Sequence, residues 1–283
     1  EIGPGELAAS QHPSSIYAEM FRQVRTGFQF TVATNPGKAF LVTSVVPSEG
    51  NTTVMANLGA VLAQGGNRVI LVDSELHRPT MHRLFGLTCP SEGVSTLLAN
   101  GHDPKTFLVD TAVPNLQLLL SGPIPSNPAD LLSSTRMDQI ISQLKEECDF
   151  LLLDSPPIMA SADPTILASK VDGVVLVVDT AVSRADSFQE AMQQIQKAGA
   201  PILGYIMNKV KTRQLGYGHY RYRYYYHYYY NHNSDKEDKE PSAETDRAAS
   251  AHSSWRTSTL ELAQSALERM RGMQERVKRL LKR

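Results

Sequence analysis

The sequence predicts an α/β protein: a doubly wound, mostly parallel sheet, then a flexible tyrosine-rich tail and a C-terminal helix. Six short runs rich in Val, Ile and Leu lie between residues 39 and 210: AFLVTSV, RVILVD, LQLLL, FLLLD, GVVLVVD and ILGYIM. They are uninterrupted rather than alternating, as expected of strands covered by helices on both faces. The intervening segments 52–64, 135–147, 161–170 and 186–198 are long enough for crossover helices, which makes the sheet parallel.

Taken in order, residues 1–14 read as a flexible N-terminus without the charged-then-apolar pattern of a signal peptide. Residues 15–34 form a helical pattern with Tyr17, Phe21, Val24 and Phe28 on one face. The α/β domain spans 35–213 and a tyrosine cluster spans 214–233. Residues 234–253 are charged, poor in apolar side chains and expected to be disordered. An amphipathic basic helix occupies 254–283, where Leu260, Ala263, Leu267, Met270, Gln274, Val277 and Leu281 follow a heptad seam. Docking on its own domain, pairing with a copy of itself and binding a membrane surface all remain open for it.

A formal net charge of −1 argues against a protein built to coat nucleic acid. Cys89 and Cys148 match no metal or redox spacing and read as packing residues in a reducing compartment. No run approaches ~20 apolar residues, so a cytoplasmic protein, or a domain of a longer one, is expected.

The first strand runs into Ser44-Val-Val-Pro-Ser-Glu-Gly-Asn-Thr-Thr53 and then a helix. Strand, loop and helix with Gly and hydroxyls at the turn is the P-loop architecture, in which backbone N–H groups hold phosphate and a hydroxyl holds Mg²⁺. Ser48, Glu49, Gly50, Asn51, Thr52 and Thr53 are the candidate nucleotide-binding residues, with Asn51 where the pattern asks for Lys. Two strands end in acids, Asp73 (followed by Glu75) and Asp154, which a parallel sheet brings to the edge carrying the loop. Acids there position a phosphate-bound Mg²⁺ or its waters; a helix cap is the alternative for either one alone.

These residues resemble the bacterial tyrosine kinase family of exopolysaccharide export over about residues 15–230. SVVPSEGNTT is similar to its Walker A, ILVDSELHRP to its Walker A′ and FLLLDSPP to its Walker B, with LLLSGPIPSNPADLLSS similar to a further family stretch. The resemblance implies ATP/ADP and Mg²⁺ as cofactors, with Thr52, Asp73 and Asp154 about the metal. Asp73, Glu75 and Asp154 would be the catalytic acids, Asp73 deprotonating the incoming tyrosine hydroxyl. It puts Asn208 at the adenine, a turn residue being the alternative. Glu19, Arg22 and Arg25 match the family's interface in a homo-oligomeric ring, although one helix face could pair within itself. Tyr217, Tyr220, Tyr222, Tyr224, Tyr225, Tyr226, Tyr228, Tyr229 and Tyr230 would be the phosphoacceptors. A transmembrane region, fused or supplied by an activator, a cognate tyrosine phosphatase and a place at the inner face of the cell membrane are implied as well, with no nucleic-acid partner.

Asn51 is the main departure. The P-loop Lys neutralises charge on the β- and γ-phosphates, and its loss costs ~10²–10³ in rate, while the backbone and Mg²⁺ still bind nucleotide. Lys38 and Lys209 are the candidates to replace its charge. The sequence therefore predicts a tyrosine autokinase that holds nucleotide better than it turns it over. The alternatives are a non-catalytic nucleotide-binding scaffold and a partitioning-type switch ATPase; the latter usually has an early loop lysine, where this chain has Val45 or Val46.

Overall fold

The computed structural model describes residues 7–179 and 181–210. The tyrosine cluster, the linker after it and the expected basic helix lie outside the described residues. The chain begins with α1 (Ala8–Gln11), α2 (Ile16–Thr34), β1 (Ala39–Ser44), α3 (Asn51–Gln64) and β2 (Val69–Asp73). It continues through α4 (Met81–Leu84), α5 (Val94–Asn100), β3 (Val109–Asp110), β4 (Leu116–Leu119), α6 (Pro128–Ser133) and α7 (Thr135–Glu147). It closes with β5 (Phe150–Asp154), α8 (Asp163–Ala168), β6 (Gly173–Asp179), α9 (Ala185–Lys197) and β7 (Ile202–Asn208).

The sheet order is β3-β4-β2-β5-β1-β6-β7, parallel except for β3, which pairs antiparallel with β4. All six predicted runs are strands, and the four expected crossovers contain α3, α7, α8 and α9. β3 went unforeseen because its two exposed residues carry no apolar run. Winding reverses at β1: β2 and β4 lie to one side, β6 and β7 to the other. A crevice at such a switch point is where open α/β sheets bind ligands, and the loop after β1 opens into it.

Alternate β1 side chains serve two cores. Phe40 and Val42 pack with Phe28 of α2 and with Val54, Leu58 and Leu62 of α3. Ala39 and Leu41 pack on the opposite face with Ile140 and Leu144 of α7, Leu167 of α8 and Ile195 of α9. α3 lies so close to β2 that a Cβ on Gly59 would sit 2.7 Å from Leu71 Cδ2.

The Ser15 hydroxyl caps α2, accepting from Ala18 N at 3.1 Å. Phe28 meets Phe40 edge-on, with ring centroids 5.1 Å apart. Phe28→Ala is expected to cost about 3–5 kcal/mol, read as a lower denaturation midpoint in urea. The expected apolar face needs one correction: Tyr17 is exposed, and Ala18 takes the buried position beside it. Residues 8–11, expected to be flexible, form a helix tied to α3. Ala9 N donates to Asn57 Oδ1 and Gln64 Nε2 to Ala9 O, each at 3.1 Å.

Cys148 is buried, and that burial pushes its thiol up to about 11, which fits a packing role, whereas Cys89 is exposed. No helix among the described residues is long and apolar enough to cross a membrane.

Candidate nucleotide site

The loop from Val45 to Gly50 joins the end of β1 to the start of α3. Ser48 and Gly50 take left-handed backbone, with φ 68° and 91°. At Gly50 a Cβ would lie 2.6 Å from Asn208 Nδ2, so glycine answers both the backbone angle and the space. Gly50 caps α3 without a side chain, and the first turn holds no acid. The amides that open this 14-residue helix thus face the crevice with the positive end of its dipole, a ready anion site.

Glu49 corrects the sequence reading. Its side chain is fully buried under the loop instead of facing a nucleotide. One carboxylate oxygen accepts from Val45 N at 2.7 Å and Val46 N at 2.9 Å. The other accepts from Asp179 N at 2.8 Å and the Ser183 hydroxyl at 2.5 Å. Glu49 thereby staples the loop to the end of β6, and only its backbone can serve a phosphate. Asn208 is engaged as well: Nδ2 donates to Glu49 O at 2.7 Å, and Oδ1 accepts from Lys209 N at 2.9 Å. In this structure its amide holds the loop rather than offering both groups to a base.

The two acids stand side by side, because β2 and β5 pair with Asp73 opposite Asp154. Asp154 Oδ2 accepts from the Thr52 hydroxyl at 2.7 Å and Oδ1 from Asn51 Nδ2 at 2.9 Å. Asn51 Nδ2 also reaches Ser155 O at 2.8 Å. Asn51 is therefore turned toward the sheet, where it braces β5.

Burial pushes Asp154 up to about 7, helped by the nearby Glu75 carboxylate and opposed by the Thr52 and Asn51 hydrogen bonds. The folded chain thus takes up this proton near 7 and the unfolded chain near 3.8. The resulting stability is complete below about 4 and is lost as pH rises through about 7. The Tm advantage of the wild type over Asp154→Asn, without nucleotide, is expected to shrink from pH 5 to pH 8.

Asp73 differs in having no partner. It is fully buried, and neither carboxylate oxygen has a hydrogen-bond partner. Burial first, then Asp154 and Glu75, raise it well above the usual carboxylate range. The backbone amides of Glu75 and Met81 offset this in part, short of hydrogen-bonding geometry. Glu75 is partly exposed and accepts from His77 N at 2.9 Å and Arg78 N at 3.1 Å, closing the turn after β2. His77 Nε2 lies 2.8 Å from Oδ2 of the buried Asp163, tying that turn to α8.

An orphaned buried carboxylate beside a second acid and a threonine hydroxyl suits a hard cation. Among the described residues no three His, Cys, Asp or Glu side chains form a ready cage. Mg²⁺ does not need one: it binds through one or two carboxylates plus the phosphates of its nucleotide. The donor set of Thr52, Asp73 and Asp154 fits.

Glu19, Arg22 and Arg25 lie outside this cluster. Glu19 pairs with Arg22 at 2.6 Å, Arg22 also donates to Pro13 O, and Arg25 donates to Val61 O at 2.9 Å. The candidate phosphoacceptor tyrosines lie outside the described residues. The sequence reading also missed the buried Asp163 and could not place Lys209, whose ammonium bonds Ser48 O. Its position directly after Asn208 was the available signal.

Fold, loop and paired acids together define a P-loop NTPase domain, a nucleotide-binding class. A model of the ParA family, described as NUBPL iron-transfer P-loop NTPase, matches residues 37–225, and the chain is a ParA-type P-loop domain. It is 34% identical over 214 residues to tyrosine-protein kinase YwqD of Bacillus subtilis (strain 168), covering 75% of this chain and 90% of that one. The solved chimerical protein CapA2B2 superposes with a TM-score of 0.69 at 30% identity, covering 73% of this chain and 90% of that one. The kinase domain of Escherichia coli tyrosine kinase ETK gives 0.68 at 26% identity, covering 73% and 82%. The chain belongs to the bacterial tyrosine kinase family.

Proposed function

We propose that this chain is an ATP-dependent protein-tyrosine kinase that phosphorylates the tyrosines between 217 and 230 on copies of itself. The observation that supports it is Asp73: a buried, unpartnered carboxylate beside Asp154, close to the phosphate loop. A carboxylate whose oxygens are committed to no other partner is placed to take the proton of a phenol brought beside the phosphate. In the transfer, the tyrosine O–H proton passes to Asp73 and the phenolate oxygen bonds to the γ-phosphorus. The bond from that phosphorus to the bridging oxygen breaks, and ADP leaves. The α3 N-terminus and loop amides would hold the phosphates, Thr52, Asp73 and Asp154 would hold Mg²⁺, and the ion would supply neutralisation of phosphate charge.

The acceptor tail belongs to the same chain, so a ring of copies, with Glu19, Arg22 and Arg25 at its interfaces, brings donor and acceptor together. Each phosphate adds about −1.5 to −2 charge, so several on one tail repel one another and loosen the ring. A cognate phosphatase resets the tail. A membrane-spanning activator or fused segment holds the domain at the inner face of the membrane, where it governs polysaccharide export. Asn51 favours a slow enzyme, and in the limit a nucleotide-binding scaffold.

The test is mass spectrometry of residues 217–230 from cells making the full protein, with Thr52→Ala as the P-loop control. Phosphotyrosine that needs an intact Thr52 is expected. Absence of phosphate from both, with nucleotide-dependent dimerisation, would make the chain a switch ATPase instead.

A further inference from the structure

The crevice is short of positive charge. Buried Glu49, Asp73 and Asp154, together with Asp179 and the half-buried Glu75, surround a loop in which Asn51 supplies none. Lys38 cannot make good the deficit: its ammonium donates to Lys145 O and Cys148 O, at the opposite end of β1. Lys209 stands in the right place. Its ammonium donates to Ser48 O, at the left-handed bend of the loop, and lies 3.8 Å from Asp179 Oδ2. Among the described residues it is the one Lys or Arg whose side chain bonds the loop. Lys209 is itself left-handed, with φ 51°, and its side chain is 51% exposed.

We infer that Lys209 supplies from the end of β7 the phosphate-neutralising charge that the loop lacks at position 51, making it a nucleotide-binding residue for the triphosphate and diphosphate chain. A bland strap role is already filled. The Glu49 carboxylate ties the loop to β6, and Asn208 Nδ2 ties it to β7. An ammonium has three donors, so one bond to a loop carbonyl leaves others for phosphate oxygens. Its half-exposed, flexible stem lets the charge follow an incoming nucleotide.

The inference rests on the nucleotide-binding reading above, and titration calorimetry of the full chain separates the two. ATP, ADP and adenosine are titrated, with and without Mg²⁺, into wild type, Lys209→Ala, Lys209→Gln and Lys209→Arg. Lys209→Ala and Lys209→Gln are expected to weaken ATP and ADP by about 10- to 100-fold, the range for a hydrogen bond to a charged group, and to leave adenosine unchanged. Lys209→Arg is expected to stay within about threefold of wild type. Gln keeps a donor for Ser48 O, so a Gln variant that binds like wild type overturns the charge role. An equal loss for adenosine overturns it too, by placing Lys209 at the base. If Ala does not fold, the Gln variant decides. Wild type that binds neither ATP nor ADP removes the inference along with the kinase proposal; wild type that binds both, with every variant matching it, removes the inference alone.

Discussion

Asn51→Lys is expected to raise the rate at which phosphotyrosine appears in residues 217–230 by about 10²–10³ at equal ATP. Residue 51 opens α3, so its side chain starts beside the phosphate site. Asn51 spends its amide on Asp154 Oδ1 and Ser155 O. A lysine from the same Cα can still donate to Asp154, and it brings a full charge to the β- and γ-phosphates. That charge matters most as phosphoryl transfer proceeds, so the gain should appear in kcat rather than in nucleotide affinity. The substitution gives up the acceptor of the Ser44 hydroxyl, a long contact of 3.4 Å. Stability should therefore fall by only about 1 kcal/mol. Equal phosphotyrosine rates in the two proteins would show that position 51 does not limit transfer, and would shift attention to Lys209.

The parts of the molecule legible in the sequence are those written in local pattern. The strands from β1 to β6 that lie inside the sheet are buried on both faces and therefore read as unbroken apolar runs. Asp73 and Asp154 were legible as site residues because a parallel sheet puts strand ends on one edge. Burial and partners were not legible, since they depend on residues far away in sequence. Glu49 sits in a loop motif that normally faces ligand, yet its partners are Asp179 and Ser183, 130 and 134 positions away. Asn51 looked like a phosphate ligand with its charge removed, and only the neighbouring β5 shows its amide to be occupied. Lys209 was legible only as one of two candidate charges, with Lys38; placing the β7 end against Ser48 separates the two. Tyr17 follows the spacing of the α2 apolar face, yet Ala18 beside it is the residue the first turn buries.

Asp73→Asn, made in the Asn51→Lys background so that the starting rate is measurable, is expected to lower phosphotyrosine formation by about 10²–10⁴. In the nucleotide-free protein the Asp73 carboxyl is raised by burial and by Asp154 and Glu75, so its folded state holds a proton that the unfolded chain releases at ordinary carboxylate pH. The stability from that proton is complete below about 4 and is lost as pH rises through the folded value. Asn mimics the neutral acid in shape, so the variant should fold as well as the parent where the acid is protonated, with a flatter dependence of Tm on pH as pH rises from about 4. Mg²⁺ held beside Asp73 would favour the ionised form, as a divalent ion beside a carboxylate does. The ionised carboxylate is the form of Asp73 able to take the tyrosine proton. Asn cannot take a proton in either state. Its effect should fall on kcat, with ADP affinity measured without Mg²⁺ held within about threefold. A variant that keeps the parent rate would mean that the tyrosine proton leaves by another route. Glu75, partly exposed and close enough to raise both buried acids, would then be the next carboxylate to replace.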